Sequence, residues 1–226
     1  MKDVELNFQA VQARIKIATQ VAGRDKSPVL LAVSKRHGAE KIRDLVSLGQ
    51  LAFGESYVQE ALGKIQALSD VAIQWHYIGP VQSNKTKPIA ENFDWVQSVD
   101  RMKILLRLNE QRPLNFNPLQ VLLQYKVGDE ASKSGADTRL IFEMAEAISS
   151  LPRLQLRGLM CIPPPSNDKA VQAANFAEVR QVFERLKSQF GQIDTLSMGM
   201  SNDLEAAIEA GSTMLRVGTD IFGSRT

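Results

Sequence analysis

The residues best suited to chemistry are Lys35, Ser201, Arg216 and Thr219, each in or just beyond a short apolar run. Lys35 closes Pro28-Val29-Leu30-Leu31-Ala32-Val33-Ser34-Lys35, a stretch that reads as a strand buried on both sides. A lysine placed there has its stem against a core and its amine above the strand ends. Partly apolar surroundings weaken its preference for the charged form, which makes the amine a nucleophile toward a carbonyl. The same placement also allows a lysine that snorkels into solvent. Arg216 lies among Met214, Leu215 and Val217, so its guanidinium needs an acceptor. A carboxylate in an ordinary ion pair and a ligand both meet that need.

These residues must be positioned by a regular framework. Val4, Phe8, Val11, Ile15 and Ala18 recur at helical spacing and predict an amphipathic helix over 4–21. After the Lys35 strand, further strands are expected at 51–54, 73–78, 95–99, 119–127, 154–161, 195–198 and 214–217. Helical patterns at 39–48, 56–68, 85–91, 101–108, 137–148, 170–190 and 202–210 separate them. Ser56 or Glu55 is expected to start the third helix, and Asn202 and Glu205 have capping-box spacing. Strict alternation means parallel pairing with right-handed crossovers, and eight such units close into a barrel. The fold class expected is α/β, a single (β/α)8 TIM-type barrel with an extra N-terminal helix. A doubly wound open sheet is the alternative, but its first turn is usually Gly-rich, which Lys35-Arg36-His37-Gly38 is not. No composition shift interrupts 1–226, so one domain is expected.

In such a barrel every strand delivers its last residues to one face, where sites are built. The strand ends carry Ser34-Lys35, Gly54-Glu55-Ser56, His76-Tyr77-Ile78-Gly79, Met160, Ser197-Met198-Gly199-Met200-Ser201 and Arg216-Val217-Gly218-Thr219. Barrels frequently bind phosphate in the loops after strands seven and eight. Here those loops are Gly199-Met200-Ser201-Asn202 and Gly218-Thr219-Asp220, each with backbone N–H groups and a hydroxyl. Plain helix capping by Ser201 and Asn202, and a simple turn at Gly218, are the alternatives. Together the three features point to pyridoxal phosphate (PLP). The lysine would take the aldehyde, the loops the phosphate, and the arginine would meet the ring nitrogen.

Composition narrows the field further. The chain has 226 residues, 44% hydrophobic and 23% charged, with a net charge of +2, which gives no electrostatic case for nucleic acid or membrane partners. The single cysteine, Cys161, excludes an internal disulfide and makes a reducing compartment the default. Met1-Lys2-Asp3-Val4-Glu5 lacks the apolar core of a signal peptide, and no apolar run is long enough to cross a bilayer, so the cytoplasm is expected. His37 and His76 form no metal-ligand cluster with Cys161. His76, between Trp75 and Tyr77, reads as a packed or hydrogen-bonded core residue, and Asp129 and Glu130 as a solvated turn.

Several motifs in order carry a resemblance through nearly the whole chain. They are Leu31-Ala32-Val33-Ser34-Lys35, Phe53-Gly54-Glu55, Trp75-His76-Tyr77-Ile78-Gly79-Pro80, Arg157-Gly158-Leu159-Met160, Leu196-Ser197-Met198-Gly199-Met200-Ser201 and Arg216-Val217-Gly218-Thr219. The sequence resembles the pyridoxal-phosphate homeostasis protein family, itself similar to the amino-terminal barrel of alanine racemases. The resemblance implies that Lys35 forms a Schiff base with PLP, that Ser201, Gly218 and Thr219 hold its phosphate, and that Arg216 approaches its pyridine nitrogen. Ser56, Ile78, Ser197, Gly199 and Met200, at the same strand ends, complete the expected cofactor-binding set.

The chain departs from the family's usual pattern at Ser56, where asparagine is usual, and at Arg36-His37-Gly38, where many members read Thr-Lys-Pro. Lys133 matches a family lysine in a mobile loop. Racemases of this kind carry a second, β-rich domain that supplies a tyrosine base. This chain ends soon after its eighth strand, and Tyr57, Tyr77 and Tyr125 all lie within the barrel. The expectation is therefore a monomeric cofactor carrier, not an enzyme, whose partners are PLP and the apo-enzymes that accept it. A racemase, or a phosphosugar-type barrel enzyme without PLP, is the alternative.

Overall fold

The computed structural model describes residues 2–128 and 134–223. Lys133, Asp129 and Glu130 lie outside them. Strands β1 (Val29–Val33), β2 (Ala52–Glu55), β3 (Gln74–Tyr77), β4 (Trp95–Val99), β5 (Leu119–Tyr125), β6 (Leu154–Cys161), β7 (Thr195–Ser197) and β8 (Met214–Val217) pair in sequence order, all parallel, and close into a barrel. Closure comes from β8 against β1, with Leu31 opposite Arg216 and Ala32 opposite Val217. The expected (β/α)8 barrel is therefore the fold.

The helices follow the predicted periodicities. They are α1 (Lys2–Val21), α2 (Ala39–Ser47), α3 (Val58–Ala67), α4 (Thr86–Asn92), α5 (Met102–Gln111), α6 (Thr138–Ile148), α7 (Lys169–Gln189), α8 (Leu204–Glu209) and a short α9 (Thr219–Phe222). Ile104, Leu105 and Leu108 of α5 and Ile141, Met144 and Ala145 of α6 turn inward at helical spacing, which is why these segments are helices. Asp137 and Asp168 cap α6 and α7 through their carboxylates, accepting from Leu140 N and Ala170 N at 2.8 Å.

Two expected helix starts are corrected. Glu55 and Ser56 do not cap α3, whose preceding residue is Tyr57, because Glu55 is drawn wholly inside the protein. Asn202 and Glu205 form no capping box: α8 starts only at Leu204, and Glu205 pairs with Arg14 at 2.6 Å. Helix α9 is absent from the sequence expectation. The extra helix α1 buries Phe8, Val11 and Ile15, and its Arg14 also reaches Asp220 at 3.0 Å. Exposed pairs of this kind contribute little by themselves. The packing of α1 fastens α8 and α9, which carry the two loops read as phosphate sites.

The main apolar core lies between the strands and the helices, while Trp95, Leu122 and Met160 form a separate small cluster. Barrel interiors usually hold layers of branched apolar side chains. Here polar side chains take much of that space. Gln97 Nε2 lies 3.1 Å from Met214 Sδ, although β4 and β8 stand on opposite sides of the barrel, so the contact runs through the interior. His76 stacks on Trp95 with ring centroids 5.0 Å apart and lies 2.9 Å from both Gln74 Oε1 and Gln97 Nε2.

Burial pushes the His76 pKa down to about 3 from 6.5. The unfolded chain takes up a proton near 6.5 that folded His76 refuses until about 3, so stability contributed by neutral His76 is lost as pH falls through that window. Denaturant unfolding should show up to about 2 kcal/mol lost between roughly pH 6.5 and 5, above the range of most carboxylates, and His76→Gln should flatten that slope.

Candidate functional site

The carboxyl ends of the strands surround a cleft of about 470 Å3. Lys35, Ser56, Ile78, Met200, Ser201, Arg216, Gly218 and Thr219 all line it. Ser197 and Gly199 do not. Both are buried below the cleft, where they act on Arg216 instead of on the cavity.

Lys35 is half-buried in a turn closed by His37 N donating to Ser34 O at 3.1 Å. The turn forces Arg36 to φ 66°, a conformation that costs a non-glycine residue about 1–2 kcal/mol. Neighbours hold it there. Arg36 N donates to Glu60 Oε1 at 2.5 Å, and the guanidinium lies over Tyr57 and bonds its hydroxyl at 3.2 Å. The His37 ring stacks on Phe222 of α9, centroids 5.0 Å apart, tying the Lys35 turn to the last helix.

Beneath this turn sits an ionic cluster that sequence reasoning missed. Lys64, 6% exposed, donates to Ser34 O at 2.8 Å, Glu55 Oε1 at 2.7 Å and Glu60 Oε1 at 2.5 Å. Ser34 Oγ donates to the same Glu55 oxygen at 2.6 Å. Burial raises the Glu55 pKa, and the Lys64 charge opposes that rise. The cluster grips both Ser34, next to Lys35, and Glu60, which holds Arg36. The spacing of Glu60 and Lys64 was the one signal available in the sequence.

Arg216 is 4% exposed. Its Nη1 donates to Ser197 O and Ser197 Oγ, both at 2.8 Å, and its Nη2 to Cys161 O at 2.8 Å. Among the described residues these partners are all neutral, so the carboxylate pairing left open by the sequence is not what holds it. Burial lowers its pKa, while the charges of the nearby Cys161 and Asp203 side chains oppose that shift. Gly199, at φ 94°, accepts from Arg216 N at 3.0 Å through its carbonyl. A Cβ there would stand 2.5 Å from Ala207 Cβ, so only glycine permits this crossing. The Cys161 thiol is buried with its pKa pushed up to about 12, which leaves it inert.

Ser201, in the β7–α8 connection, and Thr219, the first residue of α9, also line the cleft. Asp203, also overlooked from the sequence, lines the cleft and accepts from Met200 N at 2.6 Å, which sets the shape of the Ser201 loop. Burial raises its pKa, and that backbone hydrogen bond and Arg216 oppose the rise. No group of residues able to hold a metal ion occurs among the described residues.

Residues 6–226 match the family described as alanine racemase, N-terminal domain. A pyridoxal phosphate homeostasis protein of Pseudomonas aeruginosa is 53% identical over 226 residues, covering 100% of this chain and 97% of that protein. One from Vibrio cholerae is 50% identical over 230 residues, covering 100% of this chain and 98% of that protein. The chain belongs to the pyridoxal phosphate homeostasis protein family. PipY of Synechococcus elongatus PCC7942, in a structure with PLP bound, is 33% identical and superposes with a TM-score of 0.85 over 97% of this chain and 100% of that one. The motif resemblance to this family is thereby borne out. The departures at Ser56 and His37 both fall on the cleft wall.

Removing one partner of a buried ion pair strands the other charge. Lys64→Met should destabilise the fold by about 3–5 kcal/mol in denaturant unfolding, and adding Glu55→Gln should recover part of that loss.

Proposed function

We propose that the protein holds PLP in this cleft, covalently through Lys35, and serves intracellular vitamin B6 homeostasis as a carrier without substantial turnover of its own. The observation that carries the reading is convergence. An amine, two hydroxyl-bearing loops and a cation with neutral partners meet on one cavity at the carboxyl end of the barrel.

The donor set suits the group. The Lys35 amine, at the cleft, would hold the aldehyde carbon. Ser201, Thr219 and the backbone at Gly218 take the phosphate oxygens. A Cβ at Gly218 would stand 3.1 Å from Val33 O, a tight fit against β1. Ser56, Ile78 and Met200 wall the ring. Arg216 would face the ring nitrogen, and because a guanidinium does not give up its proton, it would not protonate that nitrogen. Bound PLP supplies an electron sink, which this pairing keeps shallow.

Carriage is favoured over racemisation by the tyrosines. Tyr57 is engaged with Arg36, Tyr77 with Ser56 O and Pro80 O, and Tyr125 with Glu178. None of the three lines the cleft to offer a second base. The relatives named as PLP homeostasis proteins, and PipY with PLP bound, support the same reading. The proposal extends to a monomeric cytoplasmic protein whose recipients are apo-enzymes. Among the described residues no helix is long and apolar enough to cross a membrane.

Incubated with PLP, the protein should be yellow, and borohydride should fix the label on the peptide containing Lys35. Lys35→Ala should abolish both the covalent label and the visible band. A label mapped to any other lysine would sink the assignment.

A further inference from the structure

A line of hydrogen bonds leads away from Arg216 through the barrel interior. Arg216 Nη1 donates to Ser197 Oγ at 2.8 Å, and Ser197 Oγ donates to Gln97 Oε1 at 2.7 Å. Gln97 Nε2 reaches His76 Nδ1 at 2.9 Å, and His76 Nε2 reaches Gln74 Oε1 at 2.9 Å. An amide nitrogen only donates, so His76 Nδ1 accepts and Nε2 carries the ring hydrogen, which it gives to Gln74. Every link then donates away from Arg216. The oxygen end of each group, or the lone pair of the imidazole, faces the guanidinium. Gln74 is exposed at the opposite end of the strands, so the line spans the barrel.

With only neutral groups in its hydrogen bonds, the buried charge relies on oriented dipoles beside the charge of Asp203, which is neither hydrogen-bonded nor ion-paired to it. Gln97, His76 and Ser197 supply them. A proton on His76 would turn its Nδ1 into a donor facing the Gln97 donor and break the line. Burial holds that proton off, with the His76 pKa pushed down to about 3.

We infer that His76 and Gln97 are positioning residues for Arg216, holding its guanidinium through Ser197 in the orientation that meets the cofactor ring. The inference rests on the proposed pairing of Arg216 with the ring nitrogen. Neither His76 nor Gln97 lines the cleft, so any effect they have on the cofactor passes through Arg216.

Two variants separate this role from packing. His76→Phe keeps a ring against Trp95 and removes both hydrogen bonds. His76→Gln loses the ring and restores an acceptor for Gln97 and a donor for Gln74. In titrations of the whole protein with PLP, His76→Phe should weaken binding roughly five- to tenfold, and His76→Gln should stay within about twofold of the parent. In the cofactor-free protein, His76→Phe should also move the Arg216 guanidinium nitrogen resonances. The reverse order of the two variants, or a His76→Phe protein unchanged in both readouts, overturns the inference. In an Arg216→Lys background the His76→Phe penalty should vanish, and an undiminished penalty there overturns it too. Should His76→Phe fail to fold, nitrogen shifts of His76 in the parent protein still decide: the Nε2–H tautomer is expected, and an Nδ1–H ring overturns the line's direction. If the parent protein takes up no PLP, the cofactor reading falls, while the resonance and tautomer measurements still decide the hydrogen-bond line.

Discussion

A buried guanidinium with only neutral partners governs the interior of this protein. Arg216 is 4% exposed, and its hydrogen bonds go to Ser197 and to the Cys161 carbonyl. An ion taken out of water must recover its solvation from fixed dipoles or a counterion. A carboxylate would do this more strongly, but it would also consume the N–H groups that face the cleft. Neutral acceptors compensate the charge while leaving it available above. That choice reaches into the rest of the barrel. It requires Ser197 on β7, Gln97 on β4 and a neutral His76 on β3, and these take space that branched apolar side chains usually fill.

The stability of the barrel therefore comes mainly from outside it. The large apolar cluster joins the outward faces of the strands to the helices, and the interior apolar residues include Trp95, Leu122 and Met160 together with Leu31 and Met214 on the Arg216 side. Helix α1 belongs to this outer layer. It packs against the helices that follow β7 and β8, so the loops bearing Ser201 and Thr219 are braced from the outside, while Arg216 is braced from within.

The framework was legible because the alternation of apolar runs with helical periodicity leaves few topologies, and the strand ends follow from it. Lys35, Ser201, Arg216 and Thr219 were visible for the same reason: each is a polar residue at the end of, or within, an apolar run. His76 is the hydrogen-bonded core residue the sequence led us to expect, and what escaped was the polar line it belongs to. Gln74 and His76 alternate with Trp75 and Tyr77, a pattern that ordinarily marks one wet face and one dry face of a strand. Here the face that looks wet points into the barrel. Glu55 and Lys64 likewise read as residues of a strand end and a helix surface, because their burial arises only when β2, α3 and the Lys35 turn come together. The Asn202–Glu205 spacing misled because Glu205 is held by Arg14, which lies 191 residues away in sequence.

The Lys35 side of the cleft and the Arg216 side are held by different physics. An ionic cluster of Lys64, Glu55 and Glu60 fixes the turn after β1, and a line of dipoles fixes Arg216. The two share no side chain, so disturbing one does not by itself release the other. Of the departures from the family pattern, Arg36 and His37 meet the ionic side through their backbone, Arg36 N donating to Glu60 and His37 N to Ser34 O. Ser56 lines the cleft while its carbonyl is held by Tyr77, and His37 lies on the rim against Phe222. On the proposed reading, a ligand is gripped by groups anchored deep in the fold, while Ser56 and His37 line the cleft around it.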